Sequence, residues 1–206
     1  MILSLLLAAI LAGCGGSGHH ASAPKAPVSA GLRGLVPEPL PHKPSFTLPD
    51  TSGRPYQFTS ATRGKLTYLF FGYTHCPDAC PATMSNLRYA LSLQPAVVRK
   101  QIAVVFVTVD PRRDTGPVIR RWLDHYGRSF VGLRGRTAQI AAVERAAGLP
   151  TAPTPAAAAA KKNYTLAHSS LLLAYSPDGL AHVLYAQGFK ATDYAHDMPL
   201  LLRFQG

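Results

Sequence analysis

The sequence predicts an α/β domain in which a central mixed β-sheet is flanked by helices and preceded by an N-terminal β-hairpin. Two observations carry most of that expectation. LTYLFFGY, Leu66 to Tyr73, and IAVVFVTVD, Ile102 to Asp110, are continuous apolar runs with the length and the β-branched and aromatic content of strands buried on both faces. Each is followed by apolar residues at helical spacing, Met84, Leu87 and Leu91 after the first, and Ile119, Trp122, Leu123 and Tyr126 after the second. Strand, helix, strand, helix is the order of a parallel sheet.

Taken in order, MILSLLLAAILAGC is an apolar run ending in small residues and a cysteine, too short to span a bilayer as a mature helix. It predicts a secretory signal over 1–13, although no Lys or Arg precedes the run. Leu11-Ala12-Gly13-Cys14 resembles the bacterial lipobox, in which cleavage before the cysteine leaves its thiol to carry a lipid. Residues 14–44 are rich in Gly, Ala and Pro and poor in large apolar residues, so they predict a flexible tether, with His19 and His20 as solvated linker residues. The folded domain is expected over 45–206.

Phe46 and Leu48, the turn-forming DTSGRP, and Tyr56 and Phe58 form the opening hairpin. Pro81 suits the first turn of the helix that carries Cys80, because its missing N–H is not needed there. After the short segment FVGL, a helix runs from Thr137, a suitable N-cap, to Ala147, closed by Gly148. LPTAPTPAAAAAKKNY, Leu149 to Tyr164, is a low-complexity loop. SLLLAYS and LAHVLYA pair as a hairpin through Pro177-Asp178-Gly179, and a last helix runs from Thr192 toward Phe204, kinked at Pro199. Two βα units, a hairpin and a helix, with cysteines at the first strand-to-helix junction, are similar to a thioredoxin-like fold. Such sheets place their chemistry at the C-terminal ends of the parallel strands.

The net charge of +11 suits an anionic membrane surface or an acidic protein partner. No basic helix with interleaved aromatics and no recognition motif points to nucleic acid. Apart from Cys14 the chain has two cysteines, Cys76 and Cys80, in FFGYTHCPDACP. In an exported chain such a pair is either bonded or protected by function.

Three chemistries compete for that pair. A disulfide across so small a loop contributes roughly 2 kcal/mol. Redox exchange is favoured by a helix N-terminus, which lowers a thiol pKa, and opposed by the Cys-x-x-x-Cys spacing and by the charge of Asp78. A metal fits the extra residue, because helical i, i+4 side chains stand about 5–6 Å apart, wider than a disulfide and within reach of a bridging ion. The best third ligand is His168, in TLAHSSLLLAY, at the junction expected to face the cysteines. His75 competes, but being adjacent to Cys76 it would tend to point away. Asp110 and Asp114 are expected to form the turn and cap the following helix rather than bind an ion.

With FFGYTHCPDACP, VTVDPRRDT and HSSLLLAYSPDG in that order over about Phe46 to Phe204, the chain resembles the Sco/SenC family of copper-binding proteins of cytochrome c oxidase assembly. The resemblance implies a thioredoxin-like domain on the outer face of the bacterial cytoplasmic membrane, lipid-anchored through Cys14, binding copper through Cys76, Cys80 and His168. It implies delivery of copper to, or thiol reduction of, the binuclear copper A centre in cytochrome c oxidase subunit II, with a thiol reductant protein as a further partner. Soft thiolates favour Cu(I), and binding requires their deprotonation. The competing reading is a thiol-disulfide oxidoreductase or thiol peroxidase in which Cys76 attacks and Cys80 resolves. A third leaves the pair as a structural disulfide in an interaction module.

Overall fold

The computed structural model describes residues 31–152 and 164–206. The signal expected over 1–13, Cys14, the part of the expected tether through residue 30, and loop residues 153–163 lie outside the described residues. The core is a five-stranded sheet in the order β5-β4-β3-β6-β7. β3 (Leu66–Gly72) pairs in parallel with β4 (Ile102–Thr108), which pairs in parallel with β5 (Val131–Leu133). On its other side β3 pairs antiparallel with β6 (Leu172–Tyr175), and β6 antiparallel with β7 (Ala181–Tyr185). The sheet is therefore mixed, as expected. β3 lies at its centre and every one of its residues is buried, which is why its sequence lacks the alternation of a half-exposed strand. Burying a side chain such as Leu69 or Phe71 contributes about 1.5–3 kcal/mol each.

The opening hairpin forms a separate two-stranded sheet from β1 (Thr47–Pro49) and β2 (Pro55–Gln57). Two four-residue helices, α1 (Phe58–Ala61) and α3 (Ala96–Arg99), are additions to the sequence expectation; neither is long enough to display a period. α2 (Ala79–Ser92) follows β3 and packs against α6 (Ala191–Leu201), while α4 (Gly116–Asp124) packs against β5. α5 (Thr137–Ala146) is closed by Gly148, whose φ of 73° suits the left-handed position after a helix. Thr137 is the first residue of α5 and not its cap; the Gln139 side chain accepts from the Arg136 N–H at 3.0 Å instead.

Residues 31–44, which composition assigns to the tether, lie on the folded unit. Leu35 and Leu184 exchange backbone hydrogen bonds at 2.9 and 2.8 Å, and Ala181 N–H donates to the Pro41 carbonyl at 2.8 Å, so the segment covers the otherwise open edge of β7. The buried Asp197 carboxylate accepts from the N–H groups of Arg33 and Gly34. Gly34 is required there, since a Cβ would fall 2.0 Å from Val183 Cγ1. Proline-rich chain that cannot build a core can still satisfy a sheet edge through its backbone.

Candidate metal centre

The site is built at the C-terminal ends of β3 and β4. Val109 N–H donates to the Gly72 carbonyl at 2.7 Å, which extends the parallel pairing by one residue past Thr108. The chain then turns, with Cys76 N–H donating to the Tyr73 carbonyl at 3.2 Å, and Asp78 caps α2 by accepting from Ala79 N–H. Cys76 thus precedes the helix and Cys80 occupies its first turn, so the pair is not a helical i, i+4 pair. Instead, Cys80 N–H points at Cys76 Sγ, 3.4 Å away.

His168 enters from the segment before β6. Its Nε2 lies 3.5 Å from Cys80 Sγ and 3.9 Å from Cys76 Sγ, and the three donor atoms all lie within 4.8 Å of one another. Nδ1 stands 2.8 Å from the Ser169 carbonyl. A carbonyl only accepts, so the proton resides on Nδ1 and the Nε2 lone pair faces the sulfurs, the arrangement in which an imidazole ligates a metal. The rings of Tyr73 and Phe70 meet His168 edge-on at 5.5 and 6.3 Å and hold its plane. Cys80 is fully buried, while Cys76 and His168 are half-buried, so the cluster opens to solvent on one side.

Both thiols are free. The Cys80 S–H hydrogen-bonded to it holds Cys76 down at about 4, helped by His168 and by the N–H groups of Cys80 and Asp78 against the cost of burial. The same hydrogen bond, then burial, pushes the Cys80 thiol well up. At neutral pH the pair therefore shares one proton. The charge of Asp78, which on sequence opposes a thiolate, is engaged at the helix cap, and the Asp78 backbone N–H supports the Cys76 thiolate.

His75 does not join the cluster; its side chain is 52% exposed and its Nδ1 lies 3.1 Å from Thr74 Oγ1. The carboxylates of Asp110 and Asp114 lie outside the Cys76, Cys80 and His168 cluster and are engaged elsewhere. Asp114 N–H does close the expected turn onto the Asp110 carbonyl at 2.9 Å, but neither side chain caps α4, whose N-cap is Thr115. The fully buried Asp114 carboxylate accepts from Thr74 N–H (3.0 Å), Thr74 Oγ1 (2.6 Å) and Thr108 Oγ1 (2.6 Å), pinning the cysteine loop to β4. Asp110 holds the Arg113 guanidinium and accepts from Tyr164 Oη at 2.7 Å. Sequence reasoning missed these supports, together with Tyr73, whose Oη accepts from Leu166 N–H at 3.2 Å, and Gly72. A Cβ on Gly72 would fall 2.7 Å from Cys80 Sγ, so the glycine makes room for the sulfur. Their only advance signal is inclusion in the motifs FFGYTHCPDACP and VTVDPRRDT.

Two sulfurs and one imidazole nitrogen on an open face suit a soft or borderline ion held by three protein ligands. Against known proteins, the SCO1/SenC family model matches residues 37–203. A protein of Stutzerimonas stutzeri described as a putative copper-binding protein is 37% identical over 136 residues, 66% of this chain and 65% of that one. The mitochondrial protein SCO2 of Saccharomyces cerevisiae is 30% identical over 65% of this chain and 44% of its own length. The matched part of the chain thus spans less than two thirds of either relative. Among solved structures, copper-bound ScoI of Bradyrhizobium japonicum aligns over 77% of this chain and 98% of that one, with a TM-score of 0.65 and 28% identity. Apo Sco1 of Thermus thermophilus aligns over 83% and 97%, with a TM-score of 0.71 and 27% identity.

Proposed function

The chain belongs to the SCO1/SenC family, and from that premise we propose that it is an extracytoplasmic copper chaperone for assembly of the copper A centre of cytochrome c oxidase. Cys76, Cys80 and His168 are its ligands, copper is the cargo, and oxidase subunit II is the client. The observation that carries this reading is the His168 tautomer: with Nδ1 committed to Ser169, Nε2 faces both sulfurs. Cys76 is already a thiolate at neutral pH and needs no activation to bind. Three ligands with one open side allow a client's ligand to approach the ion, whereas a closed four-ligand cage would retain it.

Export through a signal at 1–13, a lipid on Cys14 and a tether leading to the domain form part of the same proposal. Among the described residues no helix is long and apolar enough to cross a membrane. Copper loading tests the ligand set. The reduced chain, loaded anaerobically and challenged with a competing chelator, retains one copper, and His168→Ala loses it. Retention unaffected by that substitution would exclude His168.

A second reading is thiol-disulfide exchange, favoured by a half-exposed Cys76 of low pKa with buried Cys80 behind it. Cys76 would attack a client disulfide and Cys80 would resolve the mixed disulfide, leaving the client reduced and the pair oxidised until a thiol reductant restores it. The two activities diverge at His168, whose loss abolishes copper retention and leaves exchange largely intact.

A further inference from the structure

At the end of the sheet remote from the cysteines, a second surface collects features that the copper site does not use. Among the described residues four large apolar side chains are exposed, and three of them, Tyr89 (56%), Leu93 (50%) and Val97 (66%), follow one another at four-residue spacing where α2 gives way to α3. Exposed Pro95 and Ala96 complete this tip. Beside it lies a groove of about 490 Å³ whose lining includes Arg88, Arg99, Leu91, Ile102, Tyr126 and Phe130. Exposed Lys100 adds a third cation, and no Asp or Glu occurs between Asp78 and Asp110. An apolar tip beside a basic, half-apolar groove is the surface chemistry of a protein seated in the interface of an anionic bilayer.

The course of the chain points the same way. Gln94, next to Leu93, donates from Nε2 to the Ala195 carbonyl at 2.8 Å, and two residues further along α6 Asp197 holds the N–H groups of Arg33 and Gly34. Arg33 and Gly34, with the apolar run 1–13 and Cys14 upstream in the sequence, therefore meet α6 within one turn of the level at which the end of α2 meets it. α2 itself carries the tip about 18 Å along its axis from Cys80.

We propose that the surface formed by Tyr89, Leu93, Val97, Arg88, Arg99 and Lys100 docks on anionic phospholipid, with Leu93 and Val97 entering the headgroup region and the arginines meeting the lipid phosphates. This deepens the proposal of membrane attachment and rests on it. A lipid or apolar leader brings the domain to the bilayer but does not orient it; this face sets the orientation and turns Cys76, Cys80 and His168 away from the membrane.

The test uses the full chain with Cys14→Ser, which retains the apolar run 1–13 as a second route to lipid, so the readout must be local. Trp is introduced at Leu93 or, as a reference at the opposite end of the sheet, at exposed Ala138 in the first turn of α5. Native Trp122 supplies a common background. Brominated vesicles with about 30 mol% phosphatidylglycerol in phosphatidylcholine should quench Leu93→Trp at least about twofold more than Ala138→Trp. Neutral phosphatidylcholine, or Arg88→Glu with Lys100→Glu, should remove the difference. These substitutions spare Arg99, whose Nη1 also donates to the Gln94 carbonyl. Equal quenching at the two positions, or quenching indifferent to lipid charge, would overturn the proposal. So would a Leu93→Trp emission that responds to polyglutamate and not to vesicles, which would give the face to an acidic protein. Copper stoichiometry, measured on the same samples, separates failure here from failure of the copper reading.

Discussion

The Arg113 guanidinium lies 3.6 Å from the centre of the Tyr164 ring, binding the segment that leads to His168 to the turn after β4. Arg113 also donates from Nη1 to the Tyr164 carbonyl at 2.9 Å and pairs with Asp110, which accepts from Tyr164 Oη. The clasp restrains the segment four residues before His168, so its energy contributes to how well the imidazole is positioned for an ion.

Arg113→Ala should therefore weaken copper retention by about tenfold, corresponding to the roughly 1–2 kcal/mol of a partly buried cation–π contact. Arg113→Lys should restore little, because an ammonium cannot stack flat on the ring while donating to both partners. Chelator competition gives the retention, and unchanged thiol reactivity of Cys76 would localise the effect to His168.

Asp114→Ala should destabilise the domain by about 2–4 kcal/mol, since it leaves Thr74 N–H and the Thr108 hydroxyl without their buried acceptor. Urea unfolding of the metal-free protein measures this. A loss below the error of extrapolation would show that the loop is pinned by something else.

Gly72→Ala puts a methyl group 2.7 Å from Cys80 Sγ and 2.9 Å from the Phe70 ring. Overpacking of this kind costs about 1–3 kcal/mol. Because the sulfur must move, copper retention should fall as well, which distinguishes this variant from an equally destabilising substitution elsewhere in β3.

The pH dependence follows from the two thiols. Cys76 is depressed to about 4 in the folded chain, below its unfolded value of about 8.5, so its stabilisation is fully present above the unfolded value and is lost as pH falls through about 4. Cys80 is raised, so its contribution is present at lower pH and declines as pH climbs above the unfolded thiol value. Thiolate absorbance of the reduced, metal-free chain should show one thiolate persisting from about pH 5 to pH 8. Copper loading at neutral pH should then release about one proton, from Cys80, as read by calorimetry in buffers of different ionisation enthalpy. Release of two would mean that Cys76 is protonated before binding.

Much of this was legible in the residues. β3 and β4 announce themselves because both faces are buried, and a strand buried on both faces has no polar positions to interrupt the run. Cys76, Cys80 and His168 could be grouped because the start of β6 lies beside the end of β3, its antiparallel neighbour. The supports were not legible: Asp114 meets Thr74 across forty positions of sequence, and neither residue type signals that contact. The β7 edge was missed for a different reason. Residues 31–44 dock largely through backbone hydrogen bonds, which composition does not record.

X-ray absorption on the Cu(I)-loaded full chain reads the ligand set at the copper itself. Coordination by two sulfurs and one imidazole nitrogen, from Cys76, Cys80 and His168, is expected, with the nitrogen lost in His168→Ala. A wild-type shell of sulfur alone, or of nitrogen and oxygen alone, would contradict it.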